Sequence, residues 1–577
     1  MTRRPLADLR SQRWFASDDM RGFAHRQRTQ QMGMRREEFL GKPVVAILNT
    51  WSDMSPCHSH LRDRAEAVKR GVWQAGGYPV ELPALSVGEV MVKPTTMLYR
   101  NFLAMEVEEL LRSHPVDGAV LLGGCDKSTP GLLMGAISMD LPVIFCPAGP
   151  MSNGQWRGVK TGAGTHTKKY WDELRAGNIT QDDWVDLESR MTRSIGTCNT
   201  MGTASTMTSI VDAMGLTLPG ASSIPAADSG HTRMASSCGE RIMEMIWEDL
   251  KPSRILDARS FRNGLVAYMA LGGSTNAAVH LIAMARRAGV ELTLDDMSDM
   301  AGKVPVCANL FPSGEYLMED FYFAGGLLAM LKKLEAHLDP EAKTVNGRTL
   351  GENIADAECW NDDVIRGPNN PVVPLSQGKT LAVLRGNLAP NGAVMKSSAA
   401  NPKFLKHVGP AIVFDSPAEM NKAIDDPDLD ITEDSVIVLR NAGPVGAPGM
   451  PEWGNLPIPK KLLKQGVRDM VRICDGRMSG THYGTCILHV APEAAVGGPL
   501  GLLKTGDLIE LDVAAGRLDM RVAPAELERR KAEWKPTAPV YGRSFAALYQ
   551  RHVSQADEGC DFDFLSAPGP VAEPVIF

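Results

Sequence analysis

The sequence predicts an α/β protein: an N-terminal parallel α/β domain followed by a C-terminal β-barrel-like domain. Two observations predict it. From residue 42 to about 150, short apolar runs alternate with stretches of helical period, as in strands joined by crossover helices. Beyond about residue 370 the helical period fades. Short strand-like runs then follow one another between Gly- and Pro-rich turns. "GPNNPVVPLSQGK" marks the change and divides the chain into residues 1–375 and 376–577.

"KPVVAILNT" (Lys42–Thr50) reads as the first strand, and it runs into the polar loop "WSDMSPCHSH". "LRDRAEAVKRGVWQAGG" has helical spacing and stops at Gly76-Gly77. "YPVELPAL" is a second strand. "TTMLYRNFLAMEVEELLRS" is a long amphipathic helix with Thr95 or Thr96 as its N-cap. "VDGAVLLGG" is a third strand, "PGLLMGAISMD" a helix with Pro130 at its start, and "LPVIFCPAG" a fourth strand. Ile195–Met214 and Leu271–Ile282 each read as a glycine turn entering a helix, with Cys198 near a helix N-terminus, where the macrodipole favours a thiolate. In the second half the strand-like runs are "TLAVLRGNLAP", "AIVFD", "SVIVLRNAGP", "VRICDGRMSG" and "DLIELDVAAGRLDMRV".

Composition excludes several classes. The 577 residues are 44% apolar and 22% charged, which suits a globular protein. Net charge is −7 with no Lys/Arg-rich block, so no nucleic-acid partner is expected. The N-terminal segment has no apolar h-region, and no run of about 18 apolar residues occurs, so a cytoplasmic protein with no membrane span is expected. Ten cysteines without a C-x-x-C pair argue against a disulfide framework.

In open α/β sheets ligands bind beyond the carboxyl ends of the strands. The loops there would be "SDMSPCHSH", "SVGEVMV", "GGCDKSTPG" and "PAGPMSNG". Cys146 and Cys486 sit in apolar runs and read as small buried hydrophobes. Cys57, Cys125 and Cys198 instead sit in three Gly- or Pro-flanked loops. Their spacing matches neither paired zinc cysteines nor the bacterial ferredoxin run, so on spacing alone plain loop cysteines remain an open reading. Glu89 and Asp126 are hard oxygen donors suited to Mg²⁺, or solvated loop carboxylates. Lys127 beside them fits as a counter-ion, or as a carbamate. "CDGRMSGTHYGT" is a Gly-rich loop with Ser479 and Thr481 at its tip. The chain has no G-x-S-x-G elbow, P-loop or H-E-x-x-H motif, so serine-hydrolase chemistry has no support.

"GGCDKSTPG", "GTCNTMGTASTM", "LGGSTNAAVHL", "GNLAPNGAVMK", "GPVGAPGMPEWG" and "DGRMSGT" together resemble, in order, the signature blocks of the dihydroxy-acid and sugar-acid dehydratases, the IlvD/Edd family. "GTCNTMGTASTM" and "PGMPEWG" look like its pentonate branch. Met478, where the dihydroxy-acid branch usually has Phe, and Thr481 after Gly480 depart from that branch. The resemblance implies a [2Fe-2S] cluster on Cys57, Cys125 and Cys198. It implies Mg²⁺ held by Glu89, Asp126 and Glu452, with Lys127 carbamylated as a further ligand. It implies Ser479 as the base with Thr481 beside it, a pentonate such as L-arabinonate as substrate, and a homodimer or homotetramer with its site between domains and subunits. Two other readings stand beside this one: a dihydroxy-acid dehydratase of branched-chain amino-acid synthesis, and a non-catalytic iron–sulfur sensor.

Overall fold

The computed structural model describes residues 3–536, 541–566 and 569–576. Strands β1 (Val44–Asn49), β3 (Gly118–Gly123) and β4 (Val143–Pro147) are buried along their whole length. A strand covered on both faces needs apolar side chains at nearly every position, so these segments are unbroken apolar runs. β2 (Tyr78–Pro83) lies at the sheet edge and is partly exposed. The order is β2-β1-β3-β4, and every pair is parallel.

Helices Leu61–Gln74, Met97–Ser113 and Ser128–Met139 make the crossovers. The first packs on the long helix Ser229–Glu248, and the second on the third. The third starts at Ser128, so Pro130 lies within its first turn rather than at its start; the missing N–H costs nothing there. Thr95 accepts from the N–H of Met97 (3.3 Å), which leaves the Thr96 hydroxyl to donate to Glu89 instead. Because the strands are parallel, all four post-strand loops leave from one edge, as expected.

A hairpin, β5 (Gly154–Trp156) and β6 (Val159–Thr161), leads into helix Thr165–Ala176. Helices Thr203–Ala213 and Asn276–Ala288 follow the two glycine turns. Cys198 lies five residues before Thr203, upstream of the helix rather than on its first turn.

The C-terminal strands form one eight-stranded sheet, β14-β13-β9-β10-β11-β12-β8-β7. They are β7 (Ala382–Leu384), β8 (Gly392–Met395), β9 (Lys406–Phe414), β10 (Val436–Leu439), β11 (Arg472–Cys474), β12 (Cys486–Ala491), β13 (Leu508–Asp512) and β14 (Arg517–Met520). A bridge between Arg385 and Arg517 brings the two edge strands together, so the sheet is nearly closed. Alternation along a strand sends neighbours to opposite faces. Val436 and Val438 of β10 therefore join the barrel interior, while Ile437 and Leu439 join the larger core shared with the N-terminal part. Cys146 and Cys486 are buried apolar residues, as read from sequence. Among the described residues no helix is long and apolar enough to cross a membrane.

Candidate active site

Two sets of strand ends face each other. Cys57, Glu89 and Cys125-Asp126-Lys127 lie in the loops after β1, β2 and β3. Glu452 lies in the loop after β10, and Ser479 in the loop after β11, its parallel neighbour. Gly124 lets the β3 loop pass: a Cβ there would stand 2.6 Å from the Cβ of Ala148.

Lys127 is fully buried, and its Nζ lies 3.0 Å from Glu89, 3.4 Å from Asp126 and 3.1 Å from Glu452. One oxygen from each carboxylate falls within 4.8 Å of the others. Arg477, also fully buried, pairs with Glu452 at 2.9 Å and donates to Met450 O and Thr95 Oγ1. Three carboxylates against two cations leave one net negative charge. Burial pushes the Glu89 carboxyl up to about 7 despite Lys127, and raises Asp126. Burial also opposes ionisation of Glu452, but Lys127 and Arg477 outweigh it and hold that carboxyl at about 2. Burial and Arg477 press Lys127 towards neutrality; Glu452, Glu89 and Asp126 prevail and raise it to about 12. Buried oxygen donors with surplus negative charge suit a hard divalent cation.

Cys57 and Cys125 are buried within their loops, and Cys198 is half-buried. The Cys125 thiol, burial and then Cys198 push the Cys57 thiol up. Burial and Asp126 push Cys198 up, so the expected dipole-stabilised thiolate is not found. All three are free thiols. Three free thiols from separate loops, with Cys57 and Cys125 in hydrogen-bond contact, are the donor set that an iron–sulfur group takes. The backbone N–H of Glu89 points at Cys125 Sγ (3.4 Å), so the cysteine and carboxylate halves of the site touch.

Ser479 is half-buried, with its Oγ 3.0 Å from Thr481 Oγ1. The loop is held from several sides. Thr165, at the start of its helix, donates to Thr481 O. Gly164 has φ +84°, and a Cβ there would strike Thr481. Buried Lys396 donates to Gly272 O (2.9 Å) and reaches Gly480 O (3.5 Å). Asn276 Nδ2 lies 3.0 Å from Glu452 Oε1 and 3.0 Å from Met478 O, tying the serine loop to the carboxylates. Burial lowers His482 to about 4, so it is neutral near pH 7.

The structure therefore brings all nine sequence-predicted residues to one region. It adds Thr96, Asn276, Lys396 and Arg477. The last three lie inside the quoted blocks, and only their partners, far away in sequence, give them a role. The chain matches the dihydroxy-acid/6-phosphogluconate dehydratase N-terminal family over residues 42–353 and the C-terminal family over residues 363–560.

The chain belongs to the dihydroxy-acid/6-phosphogluconate dehydratase family.

Relatives in this dehydratase family match nearly end to end. A 6-deoxy-6-sulfo-D-gluconate dehydratase of Pseudomonas putida is 70% identical over 571 residues, 99% of each chain. An L-arabinonate dehydratase of Rhizobium leguminosarum bv. trifolii is 50% identical over 559 residues, 96% of each. A dihydroxy-acid dehydratase of Caldanaerobacter subterraneus is 39% identical, over 93% of this chain and 97% of that one. The protein is thus a hydro-lyase of the sugar-acid dehydratase type.

Proposed function

We propose that the protein removes water from a 2,3-dihydroxy sugar acid to give a 2-keto-3-deoxy acid, with 6-deoxy-6-sulfo-D-gluconate as its substrate. The observation that carries the reaction is the meeting of three carboxylates, Ser479 and two free thiols where two parallel strand sets end, with Cys198 brought in from the segment before helix Thr203–Ala213. The sulfonated substrate rests on 70% identity to the relative of that name, against 50% for the L-arabinonate enzyme expected from the sequence. Lys168, one turn into the helix that braces Thr481 and ion-paired with Asp172 at 3.6 Å, carries a charge near enough to the serine loop to help lower His482, and is the candidate partner of a terminal anion.

Cys57, Cys125 and Cys198 would hold the iron–sulfur cluster, of the [2Fe-2S] type. Glu89, Asp126 and Glu452 would hold Mg²⁺, and Lys127, an ammonium ion-paired with them in the metal-free site, would join them as a carbamate once the cation is bound. When bound, the two groups supply Lewis acidity to the C1 carboxylate, the C2 hydroxyl and the departing C3 hydroxyl. Ser479 Oγ, deprotonated to the alkoxide before the step, takes the C2 proton, and Thr481 Oγ1 fixes that oxygen by hydrogen bonding. The C3–O bond breaks, the departing hydroxide takes the proton held on Ser479 Oγ and leaves as water, and the resulting enol gives its hydroxyl proton to solvent as C3 gains one, becoming the keto acid. Arg477 and Asn276 hold Glu452 still while charge shifts beside it. We extend the proposal to a homodimer or homotetramer. Met54, Val90, Met91 and Trp453, on loops that carry site residues, are exposed apolar groups able to meet a second copy.

The test is a keto-acid assay on anaerobically purified protein with sulfogluconate, gluconate, L-arabinonate and 2,3-dihydroxyisovalerate. Sulfogluconate should have the highest kcat/KM, and Lys168→Met should lower that value at least tenfold more for sulfogluconate than for L-arabinonate. Fastest turnover of L-arabinonate would overturn the sulfonate. Fastest turnover of dihydroxyisovalerate would overturn the sugar acid altogether. No product from any of them, with iron present, would favour an iron–sulfur sensor.

A further inference from the structure

His58 follows Cys57 in the loop after β1, and its ring is wholly buried. Its Nε2 accepts the backbone N–H of Cys125 at 3.2 Å and lies 3.1 Å from Ser128 Oγ. An acceptor Nε2 carries no proton, so the ring is neutral and its proton is on Nδ1. Nδ1 then donates to Ser86 Oγ, 3.2 Å away. One imidazole thus joins the loops after β1, β2 and β3. Ser86 stands three residues before Glu89, whose N–H points at Cys125 Sγ (3.4 Å). His60, two residues on, reaches only to the carbonyl of Ala148 after β4 (2.7 Å), a single link beside the three of His58.

We propose that His58 is a positioning residue for the iron–sulfur group: it fixes the Cys125 backbone and, through Ser86, the amide that faces the Cys125 sulfur. This rests on the reading of Cys57, Cys125 and Cys198 as cluster ligands. Hydrogen bonds to cluster sulfurs and the groups that hold ligands in place set reduction potential and retention. A side chain that keeps only the Nε2-side acceptor should preserve most of the effect. One that keeps only the Nδ1-side donor should not. Gln places an amide oxygen near the Nε2 position, whereas Asn reaches only the Nδ1 position.

The test compares the parent with His58→Gln, His58→Asn and His58→Ala, each as the full chain purified without air. The readouts are iron and sulfide per protomer, the rate of visible bleaching in air, and the midpoint potential. His58→Asn and His58→Ala should bleach roughly 10–100-fold faster, the range found when groups that orient metal ligands are removed, and should shift in potential. His58→Gln should bleach within a few-fold of the parent, with a near-parent potential. Far-ultraviolet circular dichroism checks folding, and if Ala fails to fold, Asn against Gln carries the test. Parent-like bleaching and potential in Asn and Ala would overturn the proposal. So would a folded Gln variant as labile as Asn. A parent that binds no iron or sulfide would overturn the cysteine reading itself, and the inference with it.

Discussion

Lys127 of the N-terminal part and Glu452 of the C-terminal part stand 3.1 Å apart, Nζ to Oε1, with the lysine side chain fully buried. The two halves of the molecule therefore meet on a charge pair, not only on apolar surface. Removing one member of a buried pair strands the other charge at a cost of several kcal/mol.

Lys127→Ala should leave three crowded carboxylates with Arg477 alone to offset them. The variant should keep its cluster colour, lose turnover, and unfold at lower temperature in chelator. Millimolar Mg²⁺ should recover more of the unfolding temperature in the variant than in the parent. Calorimetry with and without Mg²⁺ checks this. No effect of Mg²⁺ on either protein would contradict a cation seat at Glu89, Asp126 and Glu452.

Cys57→Ser, Cys125→Ser and Cys198→Ser should each lose visible absorbance and activity. Cys146→Ser, at a fully buried position in β4 where the thiol lies against Met234 Sδ (3.7 Å) and the Cys238 thiol, should keep both. Absorbance spectra of anaerobically purified variants decide it, and full iron content in any of the first three would remove that residue from the site.

Glu493 is buried, accepts from Val445 N, Gly446 N and Gln555 Nε2 (each 2.8 Å), and burial beside Asp475 pushes it up to about 7. Its folded value lies above the unfolded one of about 4.3. The folded protein therefore binds the proton more tightly. Its contribution to stability is present in full below about pH 4 and is lost as pH rises to about 7. Glu493→Gln removes that dependence. Urea midpoints of the parent, relative to the variant, should fall between pH 5 and pH 8; an unchanged difference would refute the shifted carboxyl.

Much of this was legible in the sequence, for a physical reason. Doubly buried parallel strands such as Val44–Asn49 must be apolar throughout, and their loops must carry the chemistry, so β1 to β4 and Cys57, Glu89, Asp126 and Lys127 stand out locally. The barrel was visible as a class but not in its closure, because the Arg385–Arg517 bridge pairs residues 132 apart in the chain. Arg477, Asn276 and Lys396 lay in plain view without a role. Each acts through a partner from a distant segment: Arg477 on Thr95, Asn276 on Glu452, Lys396 on Gly272. Burial of Cys57 and Cys125 is not legible in the sequence for a related reason. Whether a post-strand loop is solvated depends on what packs over it from elsewhere in the chain.

In the proposed reaction Ser479 Oγ removes the substrate C2 proton at this junction. The most direct measurement is exchange of that proton with deuterated solvent, together with overall turnover, in Ser479→Ala protein of verified iron and magnesium content. Removing a positioned acid–base group costs about 10²–10⁴-fold. Exchange and turnover should both fall by that much, with parent-like unfolding and cluster absorbance. Exchange and turnover within a few-fold of the parent would contradict it.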